Sequence, residues 1–134
     1  MPFKLILFFL CLVSSSTLIA QPTATDLAQQ QLEAYNNRDI EAFLIPYSDT
    51  VKVYRFPNTL VYRGKEEMRK RYADMFKRSV DLHCTLVNRI HLGNVVIDQE
   101  NVIFDKSRPA TEVFALYKTA LGKIQEVYFI RPDK

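Results

Sequence analysis

The sequence predicts an α+β domain, with helices in its first half and antiparallel strands in its second. Three stretches before about residue 78 show apolar side chains at helical spacing, and two short strand-like runs separate the second from the third. From residue 82 onward the pattern changes to extended runs separated by turns. A chain of 134 residues is long enough for one domain with a core and short for two. This order of elements is typical of helices packed on one face of a sheet.

The first 20 residues predict a secretory signal peptide. Lys4 supplies a positive charge, Leu5–Val13 is an unbroken apolar run, and a small-residue stretch ends at Ala20. Because this run is too short to cross about 30 Å of hydrocarbon, we expect cleavage and no stable membrane anchor. We therefore predict an exported protein, periplasmic or secreted, with a single domain over residues 21–134. Lipid attachment at Cys11 is the alternative for this segment.

Three helices are predicted. In the first, residues 25–37, the side chains on one face are Leu27, Ala28, Gln31, Leu32 and Tyr35. Thr23 or Thr25 is the expected N-cap. A short second helix starts after Asp39 and ends before Pro46. The third follows Gly64, and its apolar residues are Met68, Tyr72, Met75 and Phe76.

Six strands are predicted around these helices. Residues 50–56 alternate as a strand, and a turn leads into a short strand that ends near residue 62. The second half contains runs at residues 82–92, 95–104, 110–118 and 123–130. Turns are expected at Gly93-Asn94, near residues 106–109 and near residues 120–123.

Three segments carry a family resemblance: "QLEAYNNRDIEAFLIPYSD", "YRGKEEMRKRYADMF" and "VFALYKTALGKIQEVYFI". With them the chain resembles the nuclear transport factor 2-like superfamily, most closely its SnoaL-like and ketosteroid-isomerase-like branch. The resemblance implies a cone of about three N-terminal helices packed on a strongly bent, mainly antiparallel sheet. It also implies an apolar pocket and a homodimer formed through the sheet.

The resemblance leaves the activity open. Members of the family include cofactor-free isomerases, cyclases, dehydratases and hydrolases, and other members only bind. Alignment on the ketosteroid isomerase pattern places Gln31 at the tyrosine position, Tyr54 or Arg55 at the base, and Phe114 or Ala115 at the protonated aspartate. The isomerase's catalytic residues are therefore not matched.

Two carboxylates, Asp98 and Glu100, lie on one face of a predicted strand because side chains alternate with period two. A two-residue turn at Gly93-Asn94 places Arg89 opposite Asp98 and Val87 opposite Glu100. Burying an unpaired carboxylate costs roughly several kcal/mol. Our first interpretation therefore places both carboxylates on the outer or dimer-facing side of the sheet.

A second interpretation follows from the bulges that are common in bent sheets, because a one-residue slip exchanges the two faces. One carboxylate would then lie in the apolar cone with a raised pKa, and Arg89 would keep the other ionised. The candidate catalytic residues are Asp98, Glu100, Arg89 and His83.

The first interpretation also predicts a pocket that suits a small lipophilic molecule. Its expected lining residues are Gln31, Tyr35, Tyr72, Phe76, Asn88 and Gln99, with Phe114 or Tyr128 added according to register. The other function class is a non-catalytic dimeric interaction module, in which Arg89, Asp98, Glu100 and His83 form the contact surface.

Several classes are not supported by the sequence. The net charge of +3 comes from interspersed acids and bases, so no nucleic-acid partner is expected. His83 and His91 lie outside any Cys/His cluster, and the three glycines form no nucleotide-binding motif. We therefore expect neither a metal nor another cofactor. Cys84 is expected to be a small buried apolar residue.

Overall fold

The computed structural model of the protein describes residue 16 and residues 18–132. The signal peptide predicted for residues 1–20 lies almost entirely outside this part of the chain. In chain order the elements are α1 (Ala24–Asn36), α2 (Ile40–Leu44), β1 (Tyr47–Arg55), β2 (Thr59–Arg63), α3 (Lys65–Arg78), β3 (His83–Leu92), β4 (Val95–Ile103), β5 (Thr111–Ala120) and β6 (Lys123–Ile130). This confirms the predicted α+β class and the order of its elements.

The six strands form one curved sheet in the order β2-β1-β6-β5-β4-β3. Every neighbouring pair is antiparallel except β1 and β6, which are parallel. The sheet is therefore mixed but mainly antiparallel. The three helices pack against it, which gives the predicted cone.

Side-chain caps start the first two helices. The Thr23 hydroxyl accepts a hydrogen bond from the Asp26 amide at 3.1 Å, and the Asp26 carboxylate accepts one from the Thr23 amide at 2.9 Å. This reciprocal capping box identifies Thr23, and not Thr25, as the N-cap. At α2 the Asp39 carboxylate accepts from the Ala42 amide at 3.0 Å. No helix in the described residues is long and apolar enough to span a bilayer.

The core lies between the helices and the inner face of the sheet. Phe43 of α2 is fully buried at its centre and contacts the Tyr72 ring at a centroid distance of 4.4 Å. The Phe43 and Phe76 rings meet edge to face at 5.6 Å. Val51 and Val96 close the sheet side of this cluster without exposure to solvent. Aromatic packing of this kind adds about 0.5–1.5 kcal/mol per pair to simple burial.

A β-bulge interrupts the pairing of β3 with β4. Leu86 pairs with Glu100 and Asn88 pairs with Gln99, so Val87 is the extra residue. The predicted pairing of Arg89 with Asp98 is confirmed, whereas the predicted pairing of Val87 with Glu100 is wrong. An extra residue reverses the direction of the side chains that follow it. Cys84, before the bulge, and Arg89, after it, therefore both point to the inner face of the sheet.

Candidate active site

A cavity of about 360 Å³ opens between the inner face of the sheet and the helices α1 and α3. Its lining includes Gln31, Tyr35 and Tyr72, three of the residues expected from the sequence to line a pocket. Further residues from the sheet are Tyr47, Val53, Cys84, Glu100, Val113, Tyr117 and Phe129. The lining is thus mostly apolar or aromatic with a few polar groups, which is the composition typical of small-molecule sites.

The other predicted lining residues lie elsewhere. Phe76 is 8% exposed and belongs to the aromatic core beside the cavity. Asn88 is exposed, and the Gln99 amide donates to the Glu112 carboxylate at 2.8 Å on the outer face. Phe114 is 38% exposed, and the Tyr128 ring stacks on Tyr54 at 4.7 Å. The four strand residues among them lie outside the cavity because the first interpretation turned the wrong face of the sheet inward.

The inner face of β4 carries Val96, Asp98, Glu100 and Val102, all of them buried. Asp98 is 0% exposed and Glu100 is 5% exposed. The expectation that both carboxylates lie on the outer or dimer-facing side is therefore wrong. The bulge at Val87 explains the error, because it turns Arg89 inward, where its guanidinium offsets the cost of burying Asp98.

Asp98 is held in a closed network. The Arg89 guanidinium donates to both oxygens of its carboxylate, with Nε to Oδ1 at 2.7 Å and Nη2 to Oδ2 at 2.8 Å. The third donation, from Arg89 Nη1, goes to the Gln29 side-chain oxygen of α1 at 2.9 Å. Bidentate pairs of this kind are strong and fix both side chains. Asp98 is absent from the cavity lining, so it lies behind the cavity wall.

Glu100 lies in the cavity wall and has a different electrostatic environment. Burial raises the pKa of its carboxyl to about 7, and the negative charge of Asp98 adds to this increase. Hydrogen bonding with the Cys84 thiol, the Arg89 charge and the Tyr117 hydroxyl act in the opposite direction without overcoming it. Glu100 can therefore gain or lose a proton near neutral pH.

A chain of hydrogen bonds approaches Glu100 from α1 and β1. The Tyr47 hydroxyl donates to the Gln31 side-chain oxygen at 3.2 Å, and the Gln31 amide nitrogen donates to the Tyr117 hydroxyl at 3.0 Å. The same nitrogen contacts the Ala28 carbonyl oxygen at 3.1 Å. Because the Tyr117 hydroxyl oxygen accepts a hydrogen bond from Gln31, its own proton can be donated to the Glu100 carboxylate. Gln31, the polar residue on the apolar face of α1, is thereby explained.

The cavity tyrosines remain neutral donors at physiological pH. Burial raises the pKa of Tyr72 to about 12, with a further contribution from the Glu100 charge. Burial likewise raises the pKa values of Tyr35, Tyr47 and Tyr117. Hydroxyl groups of this kind can donate hydrogen bonds to a developing negative charge without being deprotonated themselves.

His83 and Cys84 have opposite placements on β3. His83 is exposed and lies outside the cavity lining, so the structure does not bring it together with the carboxylates. Cys84 is buried, as predicted, and also lies in the cavity wall beside Glu100. Burial raises the pKa of its thiol, followed by the charge of Glu100, so the thiol stays protonated and is a poor nucleophile.

Five residues of the cavity lining were not predicted from the sequence: Tyr47, Tyr117, Arg55, Arg71 and Arg131. Tyr117 had a usable signal. Glu112 and Lys118 alternate with Val113, Ala115 and Tyr117 along β5, which indicates that the second set faces inward. No group of three or more His, Cys, Asp or Glu side chains in the described ranges is arranged to hold a metal ion.

The fold and this cavity define the chain as a nuclear transport factor 2-like protein of the cone-shaped α+β class. More particularly, it belongs to the SnoaL-like domain family, whose model matches residues 28–127. This confirms the resemblance drawn from the sequence. No curated protein sequence is significantly similar to the chain.

Solved structures share the fold. A cystatin-fold protein from Novosphingobium aromaticivorans is 25% identical with a TM-score of 0.75, over 82% of this chain and 99% of that one. An LEH-like epoxide hydrolase from M. tuberculosis is 16% identical with a TM-score of 0.70, over 81% and 82%. A candidate ketosteroid isomerase from Kribbella flavida is 15% identical with a TM-score of 0.69, over 83% and 78%. A structure named as a candidate isomerase and one named as a hydrolase thus share this fold.

Proposed function

We propose that this protein binds a small lipophilic molecule in the cavity and transfers a proton on it, with Glu100 as the general base. The observation that carries the proposal is a buried carboxyl in the wall of a largely apolar cavity, with a pKa of about 7. A base is most effective when its pKa lies near the working pH, because it is then both available and strong enough. The names of the isomerase and hydrolase structures on this fold are consistent with such chemistry.

In this mechanism the ionised Glu100 takes a proton from a carbon acid and later returns it to another atom of the same molecule. Asp98 does not touch the ligand, since it lies behind the wall, and acts as a positioning residue through its charge. The neutral hydroxyls of Tyr35 and Tyr72 are available to donate to a developing oxyanion. The chemistry needs no redox step and no cofactor.

The experiment uses 5-nitrobenzisoxazole, a small aromatic probe whose ring opens when a base removes its carbon-bound proton. We expect measurable ring opening by the purified protein, with a rate that rises with pH around a midpoint of about 7. Glu100→Gln should reduce the rate by about a hundredfold or more, since the base is lost while the size of the side chain is kept.

Glu112→Gln is the matched control, because Glu112 is an exposed carboxylate on β5 outside the cavity lining. It should leave the rate unchanged. A Glu100→Gln protein that folds normally and retains the full rate would remove Glu100 from the mechanism.

The second candidate function is a non-catalytic dimeric module, and the outer face of the sheet favours it. Ile90, Ile97, Leu116 and Tyr128 pair in one row across β3, β4, β5 and β6. Ile90 is 57% exposed. The surface first suggested for this function is wrong in part, because Asp98 and Glu100 are buried, whereas His83 is exposed.

We propose that two copies pair through this row to form a homodimer. Leu116→Glu places a charge within this row of side chains. We expect it to convert the dimer into a monomer in sedimentation equilibrium. Glu112→Gln, at the edge of the same face, should leave the dimer intact. A wild-type protein that is monomeric at all concentrations would overturn this proposal.

We also propose export, on the pattern of the first 20 residues. Mass spectrometry of the protein isolated from its source should give a mature N-terminus at Gln21. An intact chain that starts at Met1 inside the cell would contradict it.

A further inference from the structure

Two exposed arginines, Arg55 and Arg131, line the cavity, and the sheet topology explains why both lie at the same end of the sheet. β1 and β6 are parallel neighbours, so their C-terminal ends lie at the same edge of the sheet, and Arg55 pairs in register with Phe129. Alternation along β1 places Arg55 on the same face as the buried Val53. The same period, continued one residue past the end of β6, leads from Phe129 to Arg131. All four residues line the cavity.

A third arginine approaches from α3. The Arg71 guanidinium lies over the Tyr62 ring, 4.6 Å from its centroid, and its Nε donates to the Glu67 carboxylate at 2.9 Å. Arg71 is therefore already partly neutralised. Arg55 and Arg131 are exposed and form no side-chain hydrogen bond or ion pair within the described part of the chain. Their two positive charges are available to a ligand.

The positive charge of Arg131 affects tyrosines of the cavity wall. The Arg131 guanidinium lowers the pKa values of Tyr35 and Tyr72, although burial raises both by more. Glu100 is the only acidic residue among the lining residues, against three arginines. Tyr62 also lines the cavity, with the Arg71 guanidinium over its ring.

We propose that the ligand of this cavity is a lipophilic organic acid, with its carboxylate bound by Arg55 and Arg131 at the mouth and its hydrocarbon part directed inward toward Glu100. This inference rests on the proposed function and names its substrate class. Guanidinium groups match carboxylates in geometry and charge, and two of them at one end of an apolar cavity would orient such a molecule. The reacting carbon would then be the one that reaches Glu100, remote from the acid group.

The test uses a fluorescent reporter, N-phenyl-1-naphthylamine, which is neutral and brightens in apolar sites. Octanoate and 1-octanol then compete with it as a pair that differs in the charged end. The titrations are made at pH 6, where Glu100 is mainly protonated and octanoate is ionised. We expect octanoate to displace the reporter at about tenfold lower concentration than 1-octanol, and this preference should shrink as salt is added.

Substitutions of the arginines test whether the preference for octanoate arises at Arg55 and Arg131. Arg55→Gln combined with Arg131→Gln should abolish the preference for octanoate while reporter and 1-octanol bind as before. Arg63→Gln is the matched control, because Arg63 is an exposed arginine of the same sheet that lies outside the cavity lining. It should retain the preference, which excludes a general effect of net charge.

The outcomes separate the two proposals. Failure of the reporter to bind the wild-type protein would overturn the proposed function and this inference together. Binding of the reporter with equal displacement by octanoate and 1-octanol would overturn only the inference. A preference that survives in the double variant would also overturn it, because the acid group would then be recognised elsewhere.

Discussion

Asp98 and Glu100 are two carboxylates on the same face of β4, two residues apart, and their surroundings differ completely. Asp98 receives two hydrogen bonds from Arg89 and lies behind the cavity wall. Glu100 faces the cavity, and the Cys84 thiol and Tyr117 hydroxyl are its weaker partners. The same functional group is thus structural at one position and titratable near neutral pH at the other.

The difference shows that residue type alone does not assign a role here. Both carboxyls are buried, but a guanidinium is hydrogen-bonded directly only to Asp98. The charge kept at Asp98 then raises the pKa of its neighbour. One carboxylate is therefore part of the environment that makes the other reactive.

The largest expected effect follows from breaking the Asp98 network. Arg89→Gln leaves Asp98 buried without its guanidinium, and we expect the free energy of unfolding to fall by about 3–5 kcal/mol in urea titrations. Arg78→Gln is the control, since it breaks an exposed ion pair with Asp74 of similar length, 2.7 Å. It should cost less than about 1 kcal/mol. Equal losses in the two variants would contradict the closed network.

The second prediction concerns the pH dependence of stability. The pKa of Glu100 rises from 4.5 to about 7 on folding, so the folded state keeps a proton that the unfolded state has released between these values. The free energy of unfolding of the wild-type protein should therefore decrease with rising pH across this window, relative to Glu100→Gln, by up to about 3 kcal/mol. Parallel curves for the two proteins from pH 4 to pH 8 would show that Glu100 is not perturbed.

The smallest effect is expected from Tyr117→Phe, which removes a hydrogen bond that lowers the pKa of Glu100. The midpoint of the pH dependence with 5-nitrobenzisoxazole should rise by less than about one pH unit, and stability should fall by about 1 kcal/mol. Tyr128→Phe is the matched control, because its hydroxyl donates to Glu126 outside the cavity. A downward shift for Tyr117→Phe would contradict the assigned donor.

The order and type of the elements were predictable because each has a local signal. Thr23 and Asp39 cap helices, Gly64 at φ 94° precedes α3, and Gly93 at φ 56° forms the turn between β3 and β4. The pairing of Arg89 with Asp98 followed from that turn. These features depend on residues close together in the chain.

The orientation of the site was not predictable, because it depends on a bulge. Val87 is an ordinary strand residue, and nothing in its neighbourhood marks it as the extra one. The cavity arginines were missed for a related reason, since Arg55 and Arg131 lie at the same end of the sheet only because the first and last strands pair in parallel. Long-range pairing determines which residues share a site.

The bulge at Val87 has a consequence for how related chains are compared. Deletion of one residue between Leu86 and Arg89 would remove the bulge and turn Arg89 from the inner face of the sheet to the solvent face, although Arg89 itself is unchanged. A related chain can therefore form the Asp98 network only if it has the same number of residues between the positions of Leu86 and Arg89. In this segment of β3, a one-residue insertion or deletion would break the Asp98 network even where Arg89 and Asp98 themselves are retained.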